Sequence, residues 1–169
     1  MLLTYYTMKL LLRTLTAFLL GLAITAAMLF LPAGTGHYPG AWLFMALLFI
    51  PILIMGVVLL IKNPELLRKR LEMKEREKAQ RSVVALAGLL LVGSFIVAGL
   101  DFRFGWSHVS SVVVIIASIA LLVSYALYAE VLRENVYLSR VVEVQQGQRV
   151  IDTGLYGIVR HPMYSAVSL

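Results

Sequence analysis

Four apolar runs, each about twenty residues long, set the pattern of the chain, and short polar stretches separate them. The first covers residues 10–31 and ends on Pro32-Ala33-Gly34. The second, residues 41–61, carries no charge. The third covers 82–100 and the fourth 109–129. A bilayer core asks for about this length of unbroken apolar helix, so the pattern predicts four transmembrane helices. Pro51 falls near the middle of the second run and predicts a kink there, because proline removes a backbone hydrogen bond. Lys9 and Arg13, which interrupts the start of the first run, also suit the basic start of a signal peptide. That run is long for a signal's apolar region, however, and no clear small-x-small cleavage site precedes Pro32.

The connectors differ in kind. Residues 35–40 (TGHYPG) and 101–108 (DFRFGWSH) are short turns rich in aromatics, and His37, Tyr38 and Trp42 read as an interfacial anchor. Residues 62–81 hold eight basic and four acidic side chains. Asn63 as N-cap, Pro64 at the first helical position and Glu65 in the first turn predict a helix start. The pairs Glu65–Lys69, Glu72–Arg76 and Glu77–Arg81 have the stabilising i,i+4 order. This connector reads as a headgroup-facing topogenic helix, or as a lid whose Leu66, Leu67 and Leu71 lie on the bilayer surface. In the third run, Gly88, Gly93, Ser94 and Ala98 offer small surfaces for close helix packing.

Composition agrees with a membrane protein. Sixty per cent of the 169 residues are hydrophobic and only 14% are charged, against about 25% charged in soluble domains. The mean hydropathy is +0.88. With no cysteine in the chain, disulfides, thiolate metal sites and a cysteine nucleophile are excluded. The net charge of +6 raises the question of nucleic acid, but the placement of the bases answers it. Fourteen of the fifteen Lys and Arg residues lie at one set of segment ends: Lys9, Arg13, the eight of residues 62–81, Arg133, Arg140, Arg149 and Arg160. Arg103 alone lies at the other. This bias puts both termini and the 62–81 connector in the cytoplasm, and the bases record topology. Almost no ionisable residue falls at mid-membrane depth, which disfavours a channel or transporter.

The last stretch, residues 147–169 (GQRVIDTGLYGIVRHPMYSAVSL), reads as a site. Residues 148–154 suggest an extended piece running into a turn at Gly154. Pro162 favours extended geometry before it and opens a helix after it. Arg160 and His161 beside a new helix start suit a carboxylate or phosphate, and Tyr156 and Tyr164 offer aromatic faces to a cation. On residues alone, a small-ligand site and a headgroup-binding loop are equally good readings. An acid–base role for His161 needs a partner that the sequence does not identify. The fold class expected is all-α: a polytopic membrane protein in one domain, with four transmembrane helices, an extended cytoplasmic site segment over 130–169 and the start of a fifth helix.

The run G-x-Y-x-x-x-R-H-P-x-Y, found as Gly154, Tyr156, Arg160, His161, Pro162 and Tyr164, resembles the isoprenylcysteine carboxyl methyltransferase family. These are membrane methyltransferases with phospholipid N-methyltransferase relatives. Asn135, the lead-in Gly147-Gln148-Arg149-Val150 and the Asn63-Pro64-Glu65-Leu66 entry are also similar. The specific resemblance covers Glu134–Ser168, and the four helices match in layout. It implies S-adenosyl-L-methionine as cofactor, a lipid or lipidated carboxylate or amine as methyl acceptor, no metal, and a bacterial inner membrane. Gln148, Arg149, Val150 and Ile151 would line the cofactor, Tyr156 would contact it, and His161, Pro162, Met163 and Tyr164 would enclose it. It further implies a later segment with Arg and Glu residues that complete the site, so a truncated member is expected and the catalytic residues stay unassigned. Some sterol reductase-like membrane proteins, which bind a nicotinamide dinucleotide, carry a similar R-H-P-x-Y pattern. A non-catalytic scaffold or degenerate paralogue is the third reading.

Overall fold

A computed structural model of the chain describes residues 2–71, 78–134, 153–159 and 161–168. Seven helices and no strand occur among them: α1 (Leu2–Ala33), α2 (Pro39–Lys62), α3 (Pro64–Leu71), α4 (Lys78–Phe104), α5 (Ser111–Glu134), α6 (Leu155–Ile158) and α7 (Pro162–Val167). The protein is all-α. Four helices are long and apolar enough to cross a membrane: Met8–Ala33, Pro39–Lys62, Ser82–Phe104 and Ser111–Glu134. No more than 11% of the most apolar stretch of any of them is buried within the chain. Such a fold leaves far more apolar surface bare than water tolerates, so lipid is its solvent and the protein is multi-pass.

Each spanning helix exceeds its apolar run. Helix α1 begins at Leu2 and passes through Pro32, α4 includes residues 101–104 of the expected turn, and α5 runs five residues beyond 129 to Glu134. Hydropathy marks where the chain meets polar surroundings. The helix itself continues until its backbone groups find other partners. Pro51 lies inside α2, which is unbroken there.

The contacts divide the chain into two compact units. The first comprises Met1–Leu53 and Lys74–His108, the second Ile54–Met73 and Val109–Leu169. In the first, Leu29, Ala41, Met45 and Phe49 form a buried cluster, with Phe95 and Ala98 of α4 packed against it. Helix α4 approaches α1 closely at Gly99, where an added Cβ would lie 2.6 Å from the Leu29 carbonyl oxygen. Nothing stands within 4 Å of a Cβ at Gly88 or Gly93, and Ser94 Oγ donates to its own helix at the Leu91 carbonyl. Of the four small residues marked for packing, only Ala98 serves it, one position from the contact. A wide apolar groove of about 260 Å³ between α1 and α2, floored by Phe18, Leu22, Met45 and Phe49, belongs to the same unit.

The aromatics of the two short turns lock this unit at one end. Tyr38 stacks on Phe102 at 4.0 Å, and its hydroxyl donates to the Ala98 carbonyl at 3.4 Å. Trp42 packs on Phe30 at 4.9 Å and donates through Nε1 to the Gly36 carbonyl. Ser107 Oγ donates to Asp101 Oδ2 at 2.8 Å. Partial burial raises the Tyr38 phenol above its ordinary value, and the Asp101 carboxylate raises it further. The folded state thus favours the neutral phenol. Its contribution is complete below the ordinary tyrosine value of about 10 and is lost as pH rises through the higher folded value. Titrated at 295 nm, the wild-type minus Tyr38→Phe difference should show one phenol ionising above that ordinary value. A difference that titrates at or below it would refute the assignment.

In the second unit, α3 starts as its residues require: the Leu66 amide donates to the Asn63 side-chain oxygen at 3.0 Å, with Pro64 at the first helical position. Glu65 pairs with Arg68 through Nη2 at 2.7 Å and Nε at 3.2 Å, the guanidinium fork taking both carboxylate oxygens; the Lys69 side chain lies outside what is described. One expectation for this helix is corrected. Leu66 and Leu67 are buried inside the chain instead of lying on a bilayer surface. The pairs Glu72–Arg76 and Glu77–Arg81 involve residues outside the described ones.

Candidate functional site

The terminal stretch is fastened to α5 at two points. At the end of α5, the Glu134 carboxylate accepts the Leu155 amide at 3.1 Å. About 15 Å further back along the helix, at about 1.5 Å per residue, Ser124 Oγ donates to the Ala166 carbonyl at 2.7 Å. Ala166 sits in the last turn of α7, where a helix leaves its carbonyls without internal partners, so Ser124 supplies a missing bond. Leu155 at the end of α5 and Ala166 ten residues inward fix the direction: the chain turns at Gly154 and descends antiparallel to α5. Pro162 and Ala166 are buried along this contact, and Val131 and Leu132 are buried on α5.

The turn has a specific geometry. Gly154 has φ 54° and ψ −125°, the first central position of a type II′ turn. The Tyr156 amide closes it on the Thr153 carbonyl at 3.0 Å. Glycine is required by φ, and a side chain at Gly154 would displace the Glu134 carboxylate. The single-turn helix α6 follows, and Val159 returns to extended backbone. The sequence marked Gly154 as a turn and Pro162 as a helix start, and both are present. It did not anticipate α6.

Of the candidate ligand-binding residues, His161 and Tyr164 come together. Their rings meet edge to face, with centroids 5.8 Å apart. Both are exposed, Tyr164 at 64%. His161 occupies the N-cap position of α7, yet its side chain makes no capping bond, which leaves the imidazole available. Met163 and Tyr156 are half-buried, and Pro162 is buried, so its ring serves packing against the chain. Gln148, Arg149, Val150, Ile151 and Arg160, together with the extended segment itself, lie outside the described residues. Among the described residues, no group of three or more His, Asp or Glu stands ready for a metal ion.

Glu134 and Ser124, which position the stretch, were not singled out in the sequence. Glu134 was visible as the last acid before the 135–152 segment. A serine inside an apolar helix gives no such sign. No protein-family model, curated protein or solved structure matches the chain.

Proposed function

We propose that this chain is a membrane methyltransferase that uses S-adenosylmethionine at the terminal stretch and acts on a lipid or lipidated carboxylate or amine. The observation that carries the reading is the G-x-Y-x-x-x-R-H-P-x-Y run, whose His161 and Tyr164 form an exposed imidazole–phenol pair on the stretch fastened to α5. The residues suit the cofactor. An exposed tyrosine ring attracts a cation over its face, and an uncommitted imidazole offers a hydrogen bond. S-adenosylmethionine supplies a methyl group activated by a sulfonium centre. Tyr164 and His161 would hold it, half-buried Met163 would border it, and the Glu134-fastened turn would keep Tyr156 in place. Methyl transfer depends mainly on alignment, which suits a stretch pinned at both ends. The fourteen-to-one bias of basic residues supports a cytoplasmic side for the N-terminus and for the Glu134–Leu155 end of this stretch, from which the chain runs along α5 to the depth of Ser124.

The same R-H-P-x-Y run favours a second reading, a sterol reductase-like protein that binds a nicotinamide dinucleotide. Calorimetric titration of the chain in lipid nanodiscs separates the two. Saturable binding of S-adenosylmethionine is expected, weakened about 3- to 30-fold by Tyr164→Ala, the range for loss of a cation–π contact, and measurably by His161→Ala. Binding of NADPH in its place would favour the reductase. If a folded, helical sample bound neither, the site reading would fail and a non-catalytic scaffold would replace it.

A further inference from the structure

A second polar site lies in the second unit, on residues that the terminal stretch does not include. Arg70, one residue before the end of α3, lies over the ring of Tyr128 on α5, with its guanidinium carbon 5.2 Å from the ring centroid. Its Nε and Nη2 atoms are buried, and among the described residues neither has a hydrogen-bond partner. Two buried donors of a permanent charge left without an acceptor are among the least favourable arrangements a polar group can adopt. The carboxylates described in this unit are engaged elsewhere. Glu65 holds Arg68, Glu130 holds Arg133, and Glu134 holds the Leu155 amide.

The two orphaned atoms are not an arbitrary pair. Nε–H and one Nη2–H point the same way along one edge of the guanidinium, spaced to take two oxygens of a carboxylate or phosphate. The aromatic ring beneath the guanidinium restricts its motion, and the buried Nε–Nη2 edge has no acceptor among the described residues. We propose that the Nε–Nη2 edge of Arg70, supported by Tyr128, is the receptor for an oxyanion: a carboxylate or phosphate borne by a small molecule or by a lipid headgroup. The site stands independently of the methyltransferase reading.

The test is a ¹H–¹⁵N spectrum of arginine Nε–H groups on the full chain in maltoside micelles and phosphate-free buffer, a medium without oxyanions. The Arg70 peak is assigned by its absence in Arg70→Lys. Inorganic phosphate, S-adenosylmethionine and lysophosphatidylglycerol are then added separately. At least one should shift the Arg70 peak saturably. Calorimetric affinity for that probe should fall at least tenfold in Arg70→Lys, which keeps the charge but lacks the two-pronged edge. It should fall less in Tyr128→Leu and be retained in Tyr128→Phe. A response to either soluble probe assigns the oxyanion to a small molecule. A response to the lysolipid alone assigns it to a headgroup. A peak unmoved by all three in a folded sample would overturn the proposal, since water would then serve the edge. The wild-type titration decides this even if a variant fails to fold. Binding of S-adenosylmethionine with a stationary Arg70 peak would leave the methyltransferase reading intact and remove that ligand from Arg70.

Discussion

Gly99→Ala should destabilise the first unit by about 1–3 kcal/mol, the usual cost of overpacking a tight contact. The added Cβ would lie 2.6 Å from the Leu29 carbonyl oxygen, 3.0 Å from Pro32 Cβ and 3.2 Å from the Ala33 nitrogen. Two of those atoms are backbone and the third belongs to a proline ring, so no flexible side chain can swing aside. Helix α1 must retreat from α4. Against this stands the helical preference of alanine over glycine, worth about 0.5–1 kcal/mol, which is smaller than most of that range. Gly88→Ala and Gly93→Ala on the same helix are the controls. Both positions are open, so only the favourable term applies and each variant should be neutral or slightly more stable. Both tryptophans, Trp42 and Trp106, belong to the first unit, so their emission during denaturant unfolding reads the effect directly. Equal midpoints for the Gly99 and Gly88 variants would show that α1 and α4 do not meet there.

Gly154→Ala should release the terminal stretch from α5. A non-glycine residue at φ 54° and ψ −125° sits in a sparsely populated region and costs about 1–3 kcal/mol. The Cβ also displaces the Glu134 carboxylate from the Leu155 amide, a charged hydrogen bond worth about 1.5–3 kcal/mol. The second cost exists only while Glu134 is present, so the two positions should be strongly coupled. In a Glu134→Ala background, Gly154→Ala should cost only the torsional part, giving a coupling of about 1.5–3 kcal/mol in a double-mutant cycle. Hydrogen exchange of the α7 amides is the suitable readout, because a helix of six residues barely alters the circular dichroism of the whole. Additive effects would mean that the carboxylate and the turn do not touch.

These two glycines show what was legible in the sequence and what was not. Long apolar runs translate directly into spanning helices, since few structures other than a helix satisfy the backbone in lipid. Asn63-Pro64 and His161-Pro162 carry local start signals, and both begin helices. Tertiary contacts carry no such signal. Gly88, Gly93 and Gly99 look alike in sequence, and only the path of α1 selects Gly99. Leu66 and Leu67 looked like a membrane-facing stripe because apolar residues are equally at home in lipid and in a protein interior. Gly154 and Pro162 marked the candidate site through backbone geometry. Ser124 and Glu134 hold it in place from sequence distances of 42 and 21 residues, beyond the reach of local pattern.

The interleaved order of the two units has a consequence for biogenesis. The first unit draws on residues 1–53 and 74–108, so all its parts have been synthesised once His108 is added. Residues 54–73 belong instead with 109–169. At about 5–20 residues per second, helix α3 exists for several seconds before Tyr128 arrives to meet Arg70, and longer before Ala166 reaches Ser124. Leu66 and Leu67, buried in the finished protein, pass that interval without the residues after 108 that complete their unit. Helix α3 therefore needs shelter meanwhile, either by lying at the headgroup layer or in the hands of the insertion machinery.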